Sequence, residues 1–562
     1  MSSLDRPGLP PPPGNDARRL AQSLRLTSTV AEWLRRRGYE DSDATRRFLA
    51  PRLAHLSDPT AMADRGVAAE RLARAIGAHE RIAVFGDYDC DGITSAAIMT
   101  EGLRALGGDA MPLLASRFDG GYGVSRPACD RIQATGATLL VTCDCGSSDH
   151  ASLRHLGTLG VETIVIDHHL VPEEPLPAVA FLNPHRPDCG FPYKGLASCG
   201  LALNLVAALR ALLGQKLDVR QWLDLVAIGT IADVAPLDGD NRALVRAGLA
   251  QIADSRRPGL RALAELAKYG AGAGTPSARD VAFRIAPRLN APGRLGAPDL
   301  ALELLLARDD ETARQIAATL EGLSERRRAL QETMTTEAIE EIEREGWASR
   351  PAIVIGREGW GSGIVGIVAG RLVDRYRCPV VVIGFEAGFG RGSVRGPKGA
   401  RLFDAIAKVA SLLNRFGGHQ AAAGLEVQRE RLPALRAGFE DAVRSLGENV
   451  PVDPLGDAVW LATADEPLSV VLDIERLEPC GQGNPAPRLV VSGRVAAARE
   501  LKGGHLRLDL VLEGGRRVGC FGVAMGARAA DLSGDVTVLG ELRRDTYRGG
   551  DAVEIFLDRV LP

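Results

Sequence analysis

The sequence has few aromatic residues, 4% of its 562 residues, and no uncharged apolar run of the length that spans a membrane. Such a run needs about 18 residues. The N-terminal residues include four consecutive prolines, Pro10 to Pro13, where a secretory signal would carry an apolar segment. These absences predict a protein without a membrane span that works in the cytoplasm.

Paired cysteines and a strong net charge are also missing. The nine cysteines include one close pair, Cys143 and Cys145, and no Cys-x-x-Cys couple of the zinc-ribbon type. This pattern indicates reduced thiols. The formal net charge is −3, so a nucleic-acid partner would have to meet a local basic patch, because phosphates bind to Lys and Arg.

The composition that remains, 45% hydrophobic and 25% charged residues, is typical of folded globular proteins. The length predicts about three or four domains. We expect residues 1–16, rich in Pro, Gly and Asp, to form a disordered leader. Apolar runs at 81–85, 138–142 and 161–166 alternate with helical stretches, which predicts a parallel α/β sheet in a first domain, residues 17–308.

Three further units follow in the chain. Residues 309–346 contain no proline and many Glu, Arg, Ala and Leu, which predicts one long connecting helix. A second, smaller α/β domain is expected at 347–450. Residues 451–562 contain five short β-type runs broken by glycines, which predicts a C-terminal β-barrel of the OB-fold type.

Three aspartates, Asp87, Asp89 and Asp91, follow the first predicted strand directly. In an extended segment they would lean to the same side, since side chains alternate along a strand. Carboxylates this close repel one another, so the spacing indicates a divalent metal among them. A calcium EF-hand is excluded because its twelfth position, which requires a bidentate Glu, is Ile98.

Further candidate ligands stand at the ends of other predicted elements. Asp144 and the segment 167–169, Asp-His-His, each follow an apolar run, and Asp233 follows an apolar helix. The carboxyl ends of parallel strands line the ligand crevice of open α/β sheets. Mixed Asp and His ligands suit Mn²⁺ or Mg²⁺. Alternation points Cys143 and Cys145 away from Asp144, so we interpret both thiols as packing residues.

These segments together resemble a known family. The four ordered motifs of the DHH phosphoesterases, in their RecJ-like form, are matched by residues 87–95, 144–146, 167–169 and 232–237. The second unit resembles the associated DHHA1 domain at residues 359–369, 392–395 and 417–419. Residues 477–485 resemble the segment that leads into the RecJ-like OB domain.

The resemblance implies two divalent cations, Mn²⁺ or Mg²⁺, with Asp144 bridging them. The implied metal ligands are Asp89, Asp91, Asp144, His168 and Asp233. The implied catalytic residues, which support the site or approach the phosphate, are Asp87, His169 and His419. One departure is Phe85, which stands where some members have a histidine, four residues before Asp89. This departure predicts weaker occupancy of the first metal position, or a water that completes its ligands.

Residues outside the metal cluster are implied to bind the nucleic acid. Arg117 resembles a family position for a terminal 5′-phosphate, with Ser393 and Arg395 on the opposite wall; the planar guanidinium binds phosphate oxygens in pairs. The segment 283–294 has three arginines and no acid, and Tyr122 offers a stacking face. The backbone contacts predicted in that segment are Arg288, Asn290 and Arg294. The barrel contributes few aromatic candidates: Phe521, Tyr547 and Phe556.

The function that the resemblance implies is a single-strand-specific 5′–3′ DNA exonuclease that releases mononucleotides during recombination and repair. Its partners would be single-stranded DNA with a 5′ end and, among proteins, a single-strand-binding protein and a helicase. We expect a monomer. One alternative is a phosphodiesterase for short oligonucleotides or cyclic dinucleotides from the same superfamily. Another, from a different class, is a non-catalytic DNA-binding scaffold.

Overall fold

The computed structural model describes residues 9–267, 275–419, 422–447, 455–545 and 547–561. Three β-sheets, each with its own hydrophobic core, follow one another along the chain. The predicted class, a parallel-sheet domain, a long helix, a smaller α/β domain and a C-terminal barrel, is confirmed. Within the described ranges, no helix combines the length and the apolar character that crossing a membrane requires.

The first segments are three helices: α1 (Asn15–Leu24), α2 (Ser28–Arg36) and α3 (Asp43–Leu49). Residues 1–8 of the predicted disordered leader lie outside the described residues. For residues 9–16 the prediction is wrong, because α1 begins at Asn15 and the carbonyl of Pro10 accepts a hydrogen bond of 2.6 Å from the indole of Trp460. Contacts made far away in the sequence therefore order this proline-rich stretch.

The first large domain contains a five-stranded parallel sheet in the order β2-β1-β3-β4-β5. Its strands are β1 (Arg81–Gly86), β2 (Asp109–Leu114), β3 (Leu139–Cys143), β4 (Glu162–Ile166) and β5 (Ala180–Leu182). Its helices are α4 (Arg65–Gly77), α5 (Cys90–Ala105), α6 (Arg126–Ala134), α7 (His150–Thr158), α8 (Ser198–Leu212), α9 (Leu223–Ala232), α10 (Gly239–Ala253), α11 (Pro258–Leu266), α12 (Ala278–Asp280), α13 (Ala286–Arg294) and α14 (Asp299–Leu306). Parallel strands require helical crossovers, which cover both faces of the sheet.

A 35-residue helix, α15 (Asp310–Arg344), occupies the segment predicted to connect the two α/β domains. Asp309 caps its first turn by accepting a hydrogen bond of 2.8 Å from the backbone of Thr312. The first part of α15 packs on the first domain through Ala313 and Leu320, and the last part packs on the second through Met334. One rigid helix therefore belongs to both cores.

The second α/β domain has a mixed sheet in the order β6-β7-β8-β10-β9. Its elements are β6 (Ile353–Glu358), α16 (Val365–Tyr376), β7 (Val380–Glu386), β8 (Phe389–Arg395), α17 (Leu402–Lys408), β9 (Arg415–His419), β10 (Ala422–Gln428) and α18 (Leu432–Ser445). Among the described strands of this sheet, only β6 and β7 pair in parallel. Helix α17 ends at Lys408, and strand β9 begins at Arg415.

The C-terminal domain is a closed five-stranded barrel with one short extra strand. Its elements are β11 (Val459–Trp460), α19 (Pro467–Leu477), β12 (Leu489–Leu501), β13 (His505–Val511), β14 (Arg517–Gly522), β15 (Asp535–Arg544) and β16 (Val553–Leu561). The strand order β12-β13-β14-β16-β15 returns to β12 through direct pairing of β12 with β15. Closure leaves the barrel strands without a free edge.

The N-terminal helices pack on this barrel. Leu20, Trp33 and Leu34 share one buried cluster with Val459 and Leu506 of the C-terminal domain. The sequence-based boundary had placed all of residues 17–308 in the first domain, and it is corrected here for α1–α3. Their apolar faces are buried against a partner more than 400 residues away, which sequence order does not reveal.

A buried arginine, Arg242 on α10, connects the first domain to the N-terminal helices and to the C-terminal domain. Its guanidinium donates to the carbonyls of Phe48 at 2.8 Å, Leu477 at 2.8 Å and Pro479 at 3.3 Å. Its charge also lies 4.0 Å from the centre of the Phe48 ring. The N-terminal helices, the first domain and the barrel therefore meet at one side chain.

Candidate metal centre

Three strands of the parallel sheet end in register at the same edge. Gly86 of β1 pairs with Cys143 of β3, and Cys143 pairs with Ile166 of β4. The next residue in each strand is therefore an aspartate at that edge: Asp87, Asp144 and Asp167. The backbone N–H of Asp87 donates to Cys143 and that of Asp144 donates to Ile166, at 3.1 and 2.9 Å, so the sheet holds the carboxylates side by side.

Asp89 and Asp91 belong to the start of α5. Asp89 caps the helix by accepting from the backbone N–H groups of Asp91 and Gly92 at 3.0 and 3.2 Å. Asp91 lies in the first turn, so the expectation of one extended segment through all three aspartates is wrong. Because the chain turns into a helix at Cys90, Asp91 points to a different group of ligands from Asp87 and Asp89.

The ligand atoms form three groups, within each of which the donors lie no more than 4.8 Å apart: Asp87, Asp89 and Asp144; Asp91, His168 and Asp233; and Asp144, His168 and His169. His168 Nε2 lies 3.3 Å from Asp144 Oδ1 and 3.6 Å from Asp233 Oδ2. Asp144 therefore stands between two adjacent groups. Asp87, to which the sequence assigned a supporting catalytic role, belongs to the first group as a potential ligand.

The charges of these ligand groups fit divalent cations. Burial and repulsion by Asp91 and Asp89 raise the pKa of Asp144 well above its usual value, and the same causes raise the pKa of Asp233 to about 8. Carboxylates with such raised pKa values lack a compensating positive charge. Among the described residues, the buried Nε2 of His168 has no hydrogen-bond partner, which is the state of an imidazole ready to bind a metal. Hard oxygen donors with one imidazole suit Mn²⁺ or Mg²⁺.

His169 is held by Asp167, which the sequence placed in the candidate ligand segment 167–169 without a role of its own. His169 Nδ1 lies 2.7 Å from Asp167 Oδ1. Burial acts to lower the pKa of His169, but the hydrogen bond and the charge of Asp167 outweigh it and raise the pKa to about 9. The contact fixes the ring and its protonated nitrogen. The sequence signal for this role of Asp167 was its position directly before His168.

The backbone of Asp144 has a left-handed conformation, with φ of 63°, which costs a non-glycine residue about 1 kcal/mol or more. Two hydroxyl groups hold it there. Ser198 Oγ donates to Asp144 Oδ1 at 3.0 Å, and the Tyr122 hydroxyl donates to the Asp144 carbonyl, also at 3.0 Å. Tyr122 is 46% exposed, and its stacking role stays a prediction.

Ser198 also begins helix α8, whose first N–H groups bind Asp91. The backbones of Ser198 and Cys199 donate to the two carboxylate oxygens of Asp91 at 2.7 and 2.9 Å. The positive end of the α8 dipole therefore orients one ligand while the Ser198 side chain orients another. The sequence analysis missed Ser198; its signal was a polar residue at the start of an apolar helix.

The interpretation of Cys143 and Cys145 as packing residues is confirmed. Both thiols are buried, and they belong to separate hydrophobic clusters on the two sides of the sheet. Burial raises the pKa of Cys143 and of Cys145, as expected for thiols that stay protonated.

Guanidinium groups gather beside the carboxylates, between the two α/β domains. The Arg117 guanidinium lies 4.3 Å from the centre of the Tyr88 ring. Burial and the positive charge of Arg117 lower the pKa of Arg395, and the same two causes, with Arg327, lower the pKa of Arg294 to about 10. Positive groups that lie this close to one another favour an anionic ligand.

A glycine brings the helix α16 close to this basic group. A Cβ atom on Gly366 would lie 3.1 Å from Ser393 Oγ and 3.3 Å from Arg395 Nη2. The first turn of α16 thus approaches both predicted 5′-phosphate residues, and a helix N-terminus favours negative charge. The structure therefore brings Arg117, Ser393 and Arg395 to one junction, as the predicted pocket requires.

The basic segment 283–294 is divided by the fold. Arg288, which was predicted to contact the nucleic-acid backbone, forms a bidentate salt bridge with Glu321 of α15. The sequence did not reveal this pairing, because Glu321 is 33 residues away and only the packing of α15 on α13 brings it to Arg288. Arg294 donates to the Gly363 carbonyl at 2.9 Å and faces the site, and Asn290 lies between them on the helix. The side chain of His419 lies outside the described residues.

The comparisons with known proteins agree with this geometry. Family models match residues 81–230 as the DHH family N-terminal domain, 350–445 as the DHHA1 domain and 460–559 as the RecJ OB domain. Together with the carboxylate and histidine cluster at the sheet edge, these matches define a DHH phosphoesterase with an added OB domain. Similar proteins of known function narrow the assignment within the DHH phosphoesterases.

The chain is 36% identical over 529 residues to the single-stranded-DNA-specific exonuclease RecJ of Dickeya dadantii, covering 88% of this chain and 90% of that one. It is 36% identical to RecJ of Bacillus subtilis, covering 86% of this chain but 61% of that longer protein. A crystal structure of RecJ from Thermus thermophilus in complex with Mn²⁺ matches with a TM-score of 0.82 and 34% identity, covering 98% of this chain and 78% of that one. The chain belongs to the RecJ family of single-stranded-DNA-specific exonucleases.

Proposed function

We propose that this protein is a two-metal exonuclease that degrades single-stranded DNA from a 5′ end, releases mononucleotides, and acts in DNA recombination and repair. The observation that carries the proposal is a pair of ligand groups, one of Asp87, Asp89 and Asp144 and one of Asp91, His168 and Asp233. Asp144 connects them, because its Oδ1 lies 3.3 Å from His168 Nε2. A single metal would not need the donors of both groups. The similarity to RecJ structures that hold Mn²⁺ and Mg²⁺ supports the same two candidate metals.

Each metal position has its own ligands. Asp87, Asp89 and Asp144 would hold the first ion, and Asp91, Asp144, His168 and Asp233 the second. Asp87 would supply the donor that a histidine gives in family members where this chain has Phe85. When bound, a pair of divalent cations activates water and neutralises the leaving oxygen of a phosphodiester.

The remaining residues bind and orient the substrate. Asp167 fixes the His169 ring, which we place against the scissile phosphate. Arg117, Ser393 and Arg395 receive the terminal 5′-phosphate, so the neighbouring phosphodiester reaches the ligand groups. Tyr122, whose ring is exposed beside His169, offers a stacking surface to a terminal base. Binding the 5′ end at a fixed distance from the metals gives the enzyme its polarity.

The two alternatives fit the geometry less well. A phosphodiesterase for dinucleotides has no use for a barrel held rigidly to the catalytic domain through Arg242. A non-catalytic scaffold has no need to keep carboxylates whose burial and mutual repulsion raise their pKa values. Each of the two alternatives therefore leaves one well-formed feature unexplained.

The test is a degradation assay with three labelled substrates: a single strand, a duplex with blunt ends and a dinucleotide, each with Mn²⁺, Mg²⁺ or a chelator. We expect loss of nucleotides from the 5′ end of the single strand alone, and only with metal. Equal turnover of the dinucleotide would support the short-substrate alternative. Binding without degradation in either metal would support the scaffold.

We further propose that the enzyme works as a monomer beside a single-strand-binding protein and a helicase, in the reducing cytoplasm. Support for the compartment comes from the cysteines, all nine of which are unpaired. We propose these protein partners because the enzyme needs a source of protected single strands. Co-sedimentation with each candidate partner would test the association.

A further inference from the structure

The side chain of Asn183 joins the histidine segment of the site, residues 167–169, to the chain that follows β5. Asn183 comes directly after the last residue of β5 and is fully buried. Its Nδ2 donates to the backbone carbonyl of His169 at 2.9 Å, and its Oδ1 accepts from the backbone N–H of His185 at 2.8 Å. Both ends of the amide therefore have a partner, as a buried polar group requires.

The histidine segment is attached to the sheet at both of its ends. At the first end, the backbone N–H of Asp167 donates to the Leu182 carbonyl at 3.1 Å. The backbone N–H groups of the two histidines donate to Asp167 Oδ1 at 2.8 and 3.2 Å, which are contacts inside the segment itself. At the other end, the Asn183 amide holds the last carbonyl. Asn183 therefore fixes the end of the segment that the main-chain bond of β5 does not reach.

The chain moves to the surface directly after His169. Leu170 is 70% exposed, and residues 170–179, all within the described ranges, form neither helix nor strand. An exposed loop start has little packing with which to hold its neighbour in place. The amide of Asn183 therefore determines where the backbone of His169 stands.

Other contacts set the direction of the His169 ring. Its Nδ1 lies 2.7 Å from Asp167 Oδ1 and 3.1 Å from the hydroxyl oxygen of Tyr122. Because Nδ1 is engaged, Nε2 is the ring nitrogen that can face a phosphate. A ring of fixed direction still misses its target if its backbone moves, and a misplacement of about 1 Å can cost a hundredfold in rate.

We propose that Asn183 is a positioning residue for phosphodiester hydrolysis and that it acts through His169. The proposal rests on the proposed function, in which the His169 ring lies against the scissile phosphate. Asn183 holds the backbone of His169 while Asp167 holds its ring, so the two contacts together determine the position of Nε2. Asn183 itself belongs to none of the ligand groups found among the described residues.

The test measures kcat and KM of Asn183→Ala on a 5′-phosphorylated single strand at saturating Mn²⁺. We expect kcat to fall about ten- to a hundredfold, as loss of a supporting contact generally causes, and the KM for DNA to stay unchanged. In a His169→Ala background the same substitution should lower kcat no further, because its effect passes through that ring. Asn183→Leu refills the space without restoring the donor, so its kcat should fall equally.

A second measurement needs no catalysis. Hydrogen exchange in a chelator, followed in peptides that contain residues 167–170, should be faster in Asn183→Ala than in the wild type, because the segment loses one anchor. The matched control is Asn204→Ala, which removes a half-buried asparagine that accepts from Arg65, about 9 Å along α8 from Ser198. It should change neither kcat nor the exchange of these peptides.

The results distinguish the role of Asn183 from the proposed function. An unchanged kcat in Asn183→Ala, recovery of kcat in Asn183→Leu, or an equal loss with and without the His169 ring would each overturn the role of Asn183. A wild-type kcat in His169→Ala would contradict both that role and the contact of His169 with the phosphate. If the unchanged protein cleaved no single strand, the proposed nuclease function itself would fail. Where Asn183→Ala melts below the assay temperature, Asn183→Leu takes its place in each measurement.

Discussion

Asp144 combines a strained backbone with a carboxylate that two ligand groups share. Asp144→Asn should reduce turnover by a factor of about a thousand or more, because losing one metal centre costs several kcal/mol of transition-state stabilisation. The basic walls remain, so affinity for single-stranded DNA should change little. Single-turnover rates and fluorescence anisotropy would measure the two effects. A variant with more than about a tenth of the wild-type rate would contradict the shared role.

The same substitution predicts a change in stability without substrate. In a chelator, Asp144→Asn should raise the melting temperature, because an amide does not ionise, whereas burial and the neighbouring carboxylates make the ionised form of Asp144 unfavourable in the folded state. Addition of Mn²⁺ should then stabilise the variant less than the wild type, since ligand-induced stabilisation follows the affinity of the folded state. Calorimetry with and without metal would check both directions.

Ser198 acts on the centre only through the carboxylates that it touches. Ser198→Ala should weaken Mn²⁺ binding and kcat about tenfold, as loss of a hydrogen bond to a metal ligand generally does, and leave the KM for DNA unchanged. The matched control is Thr100→Val, which removes a hydroxyl that is buried on α5 nine residues beyond Asp91 and, in the part of the chain that the structure describes, has no hydrogen-bond partner. An equal loss in both variants would show a general packing effect.

Among the secondary-structure elements, strand β8 and helix α16 together form the wall that we expect to receive the 5′ end. Arg395→Ala should slow attack on 5′-phosphorylated strands about ten- to a hundredfold more than on 5′-hydroxyl strands, because a charge-assisted contact is lost only with the former. Arg391→Ala is the control. Arg391 lies on the same face of β8 as Arg395, about 13 Å away along the strand, where it pairs with Glu426. Equal slowing of both ends by Arg395→Ala would make it a general backbone contact.

Across the whole molecule, the arrangement of domains depends on Arg242. Arg242→Met keeps much of the side-chain volume but removes the donor to the Phe48 carbonyl, while Asn484 still donates to the carbonyls of Leu477 and Pro479. We expect a loss of about 1 to 3 kcal/mol in the free energy of unfolding. Denaturant unfolding would measure it. Cleavage of a four-nucleotide strand should persist below the transition, because the metal ligands do not involve this side chain.

The order of domains, the strands of the catalytic sheet and the types of ligand that gather at its edge could all be predicted from the amino-acid sequence. Apolar runs define the strands, and in a parallel sheet their carboxyl ends must meet, so Asp87, Asp144 and His168 could be placed together. The grouping of the carboxylates required the folded structure, because the turn into α5 at Cys90 separates Asp91 from its neighbours.

Contacts between distant segments were likewise decided by packing. The pairing of Arg288 with Glu321, the support of Asp144 by Ser198, and the docking of α1–α3 on the barrel join residues 33, 54 and more than 400 positions apart. Periodicity reports which face of an element is buried but not against what. The partner follows from the shape of the assembled cores, which is a property of the folded chain as a whole.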